Sequence, residues 1–215
     1  MLIPNNPDII LITSNAPGNE LTGPGKYAAR TAEYFLRESN VSVLSYQRSK
    51  PRFLNKLFFL ETSGNCTNAG IVSFLLHIWW SKPRIIHLLC FERVSLFLLL
   101  LKPFMKFTLV YTVHGIVRKE DNSQPGLSAW YRWKNRIAEK ALFSMADVLF
   151  AFNPDIAEAG KALYKSKAAV RVIRPGIDRI FFENQRHMMN LSAKLQVVLM
   201  GGFRKREEII IGTLK

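Results

Sequence analysis

Thr112-Val-His-Gly115 places an imidazole at the exit of an apolar run, with a glycine directly behind it. A histidine at the end of a strand can donate to a sugar hydroxyl or help organise developing charge, because its ring titrates near neutrality. A lone histidine also has a plainer reading as a structural group. His77 lies in an apolar helical pattern and His87 in a buried strand, where both are expected to be packed and hydrogen-bonded, while His187 lies in a polar stretch. No Ser/His/Asp set and no paired carboxylates accompany His114 at these placements. Cys66 and Cys90 form neither a C-x-x-C nor a Cys/His cluster, so no metal site and no disulfide framework is expected, and the compartment reads as reducing.

Leu21-Thr-Gly-Pro-Gly-Lys-Tyr27 is a second candidate. It matches neither G-x-x-x-x-G-K-[ST] nor G-x-G-x-x-G. Its glycines, Gly23 and Gly25, could still let backbone N–H groups at a helix N-terminus approach a phosphate or sugar. The alternative is a turn that needs φ > 0. Position after the first strand favours a ligand-facing loop, since open α/β sheets bind ligands at the carboxyl ends of their strands.

Basic residues gather in Arg48 to Lys56, beside Phe53, Phe58 and Phe59, and again as Arg132, Arg136 and Lys140 at helical spacing near Trp130 and Trp133. Lysines and arginines interleaved with aromatics suit an anionic membrane surface. The alternative is a solvated face over a core stripe of Trp130, Trp133, Ile137, Ala141 and Met145. The whole chain carries a formal charge of +14 with a pI near 10.0, which fits nucleic acid, anionic lipid or an anionic small substrate. Nucleic acid is the weakest of these, for no RNP-like or helix-turn-helix signature is present.

These residues need a scaffold, and the periodicity supplies one. Asp8 to Asn15 is an unbroken apolar run ending in turn-formers, as a strand buried on both faces reads. Tyr27, Ala28, Thr31, Ala32, Phe35 and Leu36 then recur at helical spacing, and Val41 to Tyr46 is the next strand. The alternation continues with a helix at Ala69 to Trp80, a strand at Arg84 to Phe91, a helix at Val94 to Lys102 and a strand at Phe107 to His114. A helix from Trp130 to Met145, a strand at Asp147 to Phe152, a helix opened by Asn153-Pro154 and a strand at Val170 to Ile173 follow. Such alternation predicts an α/β fold, a Rossmann-like parallel sheet flanked by helices.

Residues 1–178 are expected to form this domain, 179–194 a linker, and 195–215 the start of an incomplete second α/β domain opened by the strand Leu195 to Met200. With 215 residues, 48% hydrophobic and 21% charged, the chain has ample apolar area to fold. Lys82, Arg84, Glu92, Arg93, Lys102 and Lys106 interrupt its greasiest stretch, so no membrane span is expected. The N-terminus lacks a signal-peptide pattern, which predicts a cytoplasmic protein, peripheral on the inner face of the membrane if it binds lipid.

Leu21-Thr-Gly-Pro-Gly-Lys-Tyr-Ala-Ala-Arg30, Ile85-Ile-His87, Tyr111-Thr-Val-His-Gly115, Asp147-Val-Leu-Phe-Ala-Phe-Asn153, and Val172-Ile-Arg-Pro-Gly-Ile-Asp178 followed by Phe181 resemble, in this order, the N-terminal half of family 4 glycosyltransferases. The resemblance covers roughly Ile9 to Phe203 and implies the GT-B fold, two Rossmann-like domains facing across a cleft. It implies transfer from a nucleotide-sugar donor to a glycan or lipid-linked acceptor, with retention at the anomeric carbon, no cofactor and no essential metal. The N-terminal domain would bind the acceptor. On the matching positions, His114 is the catalytic histidine that approaches the donor sugar, Gly23 and Gly25 line the substrate side of the first loop, and Arg174 to Asp178 leads into the donor domain. Arg204 and Lys205 are implied as ligands of the donor diphosphate, although they follow Gly202 sooner than the family pattern has them. The remaining donor domain, with its paired-glutamate motif, has no counterpart in this sequence. Activity is therefore expected to need a donor domain or a complementary subunit, and the chain alone is expected to be inactive. The competing class is a non-enzymatic basic Rossmann-like module for anionic lipid or nucleic acid.

Overall fold

The computed structural model describes residues 7–13, 23–36, 40–45, 60–63 and 66–173. Arg48 to Lys56, the 179–194 linker, the 195–215 segment, Arg204 and Lys205 lie outside the described residues.

Among the described residues eight strands form one sheet: β1 (Ile9–Thr13), β2 (Val41–Ser45), β3 (Leu60–Ser63), β4 (Cys66–Ala69), β5 (Ile85–Leu88), β6 (Thr108–Val113), β7 (Val148–Ala151) and β8 (Ala169–Val172). Their order is β3-β4-β2-β1-β5-β6-β7-β8, and every pairing is parallel except the antiparallel β3–β4 hairpin. Ile9 stands in register with Val41 on one side and Ile85 on the other. The chain thus leaves β1 toward one edge and later runs from β5 toward the opposite edge. That reversal is the topological switch point of the sheet, and the carboxyl ends of β1 and β5 beside it are the usual ligand position in such sheets.

The helices are α1 (Gly23–Phe35), α2 (Ile71–Ser81), α3 (Leu98–Leu101) with a 3₁₀ turn, Arg93–Phe97, leading into it, α4 (Val117–Asn122), α5 (Ala129–Met145) and α6 (Pro154–Tyr164). Strand side chains alternate between faces, so successive core residues serve different layers. Leu11, Val41 and Val43 pack on Ala28 and Ala32 of α1. Ile10, Ile12, Leu44, Ile86 and Leu88 pack on the other face with Phe74 and Ile78 of α2, Leu98 and Leu101 of α3, and Leu142 and Phe143 of α5. Each large side chain buried here contributes about 1.5–3 kcal/mol, so the second layer dominates the core.

Local chemistry sets the ends of the elements. Ser128 accepts from the Tyr131 amide (3.2 Å) to cap α5, and Asn153 accepts from the Asp155 amide (2.8 Å) ahead of Pro154 in the first turn of α6. Asp147 holds the edge where β6 and β7 begin by accepting from Leu109 N (2.7 Å) and pairing with Lys102 (2.9 Å).

Three expectations change. α1 begins at Gly23, so Gly23 and Gly25 belong to the first helical turn rather than to a loop, and Gly126 is the only glycine with positive φ among the described residues. The β3–β4 hairpin and α4 were not foreseen. The first part of the stripe expected to bury α5 is turned outward, with Trp130 62%, Trp133 51% and Ile137 40% exposed, while its last member, Met145, is buried as expected. The buried face of α5 is Asn135, Ala138, Glu139, Leu142, Phe143 and Met145, two of them polar. Helical spacing was read correctly, but apolarity did not identify the inner face of the first turns, where the interior takes the amide of Asn135 and the carboxylate of Glu139.

Candidate functional site

His114 follows β6 directly, Phe152 follows β7, and Tyr27 sits in the first turns of α1. The three rings meet pairwise, Tyr27 edge-on to His114 at 5.2 Å, Tyr27 edge-on to Phe152 at 4.9 Å, and His114 tilted on Phe152 at 5.2 Å between centroids. Aromatic contacts of this kind hold rings in defined orientations. Tyr27 is two residues past Gly25, so the glycine turn and the histidine are gathered at one end of the sheet.

The imidazole is further fixed by Nε2, which lies 2.9 Å from the carbonyl oxygen of Leu89, the residue leaving β5. A carbonyl only accepts, so Nε2 carries the proton and Nδ1 keeps the lone pair in the neutral ring. Burial lowers the His114 pKa, although the Leu89 hydrogen bond and the nearby Glu120 carboxylate oppose the shift. The ring is therefore neutral at pH 7, and toward a ligand hydroxyl it is an acceptor, where the sequence had suggested a donor.

The turn that carries His114 is anchored from beneath. Glu139 of α5, fully buried, accepts from Val117 N (2.6 Å), Arg118 N (2.9 Å) and the Tyr164 hydroxyl (2.6 Å). It satisfies two free amides of α4, a helix too short and polar to hold itself. Burial raises the Glu139 pKa, the three donors pull it back, and the Asp121 charge adds to the rise. Asn135 Nδ2 donates to Asp121 (2.9 Å), tying the far end of α4 to the same helix. Gly115 completes the turn: a Cβ there would stand 2.4 Å from Glu120 Oε1. Glycine lets that carboxylate lie beside the backbone next to His114.

His114, Gly23 and Gly25 thus lie at the same end of the sheet, near the switch point. His87 is packed and bonded as expected, its Nε2 2.8 Å from Thr112 Oγ1, and burial pushes its pKa down to about 4. His77 departs from expectation, since its buried Nε2 has no hydrogen-bond partner. Glu139, Asn135, Tyr27 and Phe152 were missed as site-forming residues. A signal for Glu139 was present: a lone carboxylate in α5, one turn from Asn135 and in step with Leu142 and Phe143. Among the described residues no group of three or more His, Cys, Asp or Glu could hold a metal ion.

This geometry has counterparts among solved structures. Sucrose-phosphate synthase from Thermosynechococcus elongatus shares the fold at 18% sequence identity with a TM-score of 0.56, covering 86% of this chain and 52% of that one. A second structure of that synthase, at 17% identity, covers 83% of this chain and 94% of that chain with a TM-score of 0.45. The chain therefore spans about half the length of the first synthase chain. No curated protein matches the sequence. The sheet and its helices form the Rossmann-like α/β fold of GT-B glycosyltransferases. The Glycosyltransferase Family 4 profile matches residues 21–180, from the glycine turn through the His114 strand and past β8, and the chain belongs to that family.

Proposed function

We infer that this chain is the acceptor-side domain of a retaining glycosyltransferase, which transfers a sugar from a nucleotide-sugar donor to a glycan or lipid-linked acceptor once a donor domain or complementary subunit closes the cleft. The observation that carries this reading is the fixed neutral imidazole of His114, aimed by Leu89, Tyr27 and Phe152 at the end of the sheet where ligands bind. With its proton committed to Leu89, the ring accepts from a sugar hydroxyl through Nδ1 and orients that sugar. Pre-set orientation of this kind removes reorganisation from the reacting state. Gly23 and Gly25, in the first turn of α1, are the proposed substrate contacts through their backbone amides, and Arg204 and Lys205 are the proposed ligands of the donor diphosphate. No cofactor or resident metal enters this scheme.

The test joins the chain to a family 4 donor domain and assays labelled nucleotide sugars with glycan and glycolipid acceptors. The expected product retains the donor's anomeric configuration, and the chain without a donor domain gives no turnover. His114→Ala should lower kcat far more than it raises donor KM, as for a contact realised in the transition state. Normal kcat with a large fall in melting temperature would make His114 structural. Robust turnover by the chain alone would refute the need for a second domain.

A further inference from the structure

The outer surface of the α2–α3–α5 layer is apolar, and the charges that its helices carry outward are all basic. Leu76, Trp79, Trp80, Leu99, Leu100 and Phe104 are all exposed, Leu100 at 59% and Phe104 at 75%. Trp79 and Phe104 line the same groove of about 410 Å³, with Lys82, Pro83, Met105 and Lys106 as its other walls. α2 and α3 therefore present their apolar sides together, edged by ammonium groups. Across α2, the 3₁₀ turn, α3 and α5 the sequence holds a single carboxylate, Glu139, and it is fully buried. The same elements carry Arg93, Arg132, Lys134, Arg136 and Lys140. On α5, Trp130 and Trp133 stack in the open at 4.7 Å, with Lys134 Nζ 5.3 Å from the Trp130 centroid.

We propose that this layer, led by the Trp79–Phe104 groove, is a docking surface for an anionic lipid bilayer. Phe104, Leu100 and Trp80 enter the headgroup boundary while Lys82 and Lys106 meet lipid phosphates. Long exposed apolar side chains among bases are what the boundary between headgroups and acyl chains accommodates. A second copy of the chain is disfavoured, because two such faces would bring like charges together. Nucleic acid is disfavoured by the leucines, which offer no ring face for base stacking. No helix among the described residues is long and apolar enough to cross a membrane, so the attachment is to the surface. The proposal stands apart from the sugar-transfer reading and needs no activity to be tested.

The experiment is flotation of the full chain with vesicles of phosphatidylglycerol and phosphatidylcholine, at low and high salt, beside vesicles of phosphatidylcholine alone. Binding is expected on the anionic vesicles only, and high salt should release it. The Leu100→Ser/Phe104→Ser pair and, separately, Lys106→Glu should each weaken binding about tenfold. These positions are exposed, so melting temperature should hold. Tyr34→Ser, on α1 of the opposite layer, should bind as the unaltered chain does. Absent flotation, equal binding to neutral vesicles, or full binding by the Leu100/Phe104 variant would overturn the proposal. So would tight RNA binding that outcompetes vesicles, or dimerisation abolished by Phe104→Ser.

Discussion

Replacing Glu139 should loosen the turn behind His114 before it disturbs anything else. The carboxylate serves Val117 N, Arg118 N and the Tyr164 hydroxyl with two oxygens. Glu139→Gln keeps one oxygen, which can accept twice, and turns an NH₂ group toward whatever is left. At least one α4 amide then loses its acceptor, at about 1–3 kcal/mol, while removal of a buried charge returns part of that, for a net loss of about 2 kcal/mol. Glu139→Ala strands both amides and leaves a void, for a loss of about 4 kcal/mol. Tyr164→Phe removes a single donor and should cost about 1 kcal/mol.

Urea denaturation gives the three values, and amide exchange at Val117 and Arg118 locates the effect. Exchange there should accelerate in the Glu139 variants well beyond the change at β1 or β6 amides, because α4 opens locally when its anchor goes. When the chain is joined to a donor domain for the proposed transfer assay, the same variants should lower kcat, and Glu139→Gln should do so less than Glu139→Ala. A Glu139→Gln protein within about 0.5 kcal/mol of the original, with unchanged exchange at Val117 and Arg118, would refute the anchoring role.

His87 holds its proton less tightly folded than unfolded, with a pKa near 4 against an ordinary 6.5. Stability should therefore be complete above pH 6.5 and fall as pH drops toward 4, by about 3 kcal/mol in all. Urea midpoints at pH 7 and 4.5 check this, and His87→Gln should flatten the difference. Gly160→Ala improves helix propensity by about 1 kcal/mol, but the new Cβ would stand 2.4 Å from two ring carbons of Phe143. Overpacking a rigid ring outweighs that gain, so the variant should be about 1–2 kcal/mol less stable, measured by the same denaturation.

The parallel order was legible because β1, β5, β6 and β7 are short apolar runs and a helical pattern recurs between each and the next strand. Ile9–Thr13 and Thr108–Val113 could hardly be read otherwise. The β3–β4 hairpin hid because Cys66-Thr-Asn-Ala69 has little apolar signal, though Gly64-Asn65 between the two strands is a hairpin signature. α4 hid for another reason. Val-Arg-Lys-Glu-Asp-Asn has no periodic face, and its helicity is imposed by Glu139 and Asn135 from a distant part of the chain. His114 was legible as a candidate from its place alone. Its hydrogen-bonding sense was not, since that depends on a carbonyl twenty-five residues earlier in the chain.

The inversion of α5 links the candidate site to the outer surface. A helix has one inward stripe, and here that stripe gives Asn135 and Glu139 to the turn behind His114 while Leu142 and Phe143 supply the apolar core. With the inward positions of the first turns taken by polar groups, Trp130, Trp133 and Ile137 fall on the outward side at the same helical spacing. Outward tryptophans must be tolerated by solvent or used by a partner, and the bases beside them restrict the partner to an anion-rich one. Swapping the faces would show how the two are coupled. Glu139→Leu should pack tolerably among Leu142 and Phe143 yet leave the Val117 and Arg118 amides without acceptors. Trp133→Glu should leave stability within about 0.5 kcal/mol, because that ring is half exposed. If Trp133→Glu instead destabilised the fold as much as Glu139→Leu, the outward face would be structural, and the assignment of α5's polar residues to the site would lose its physical basis.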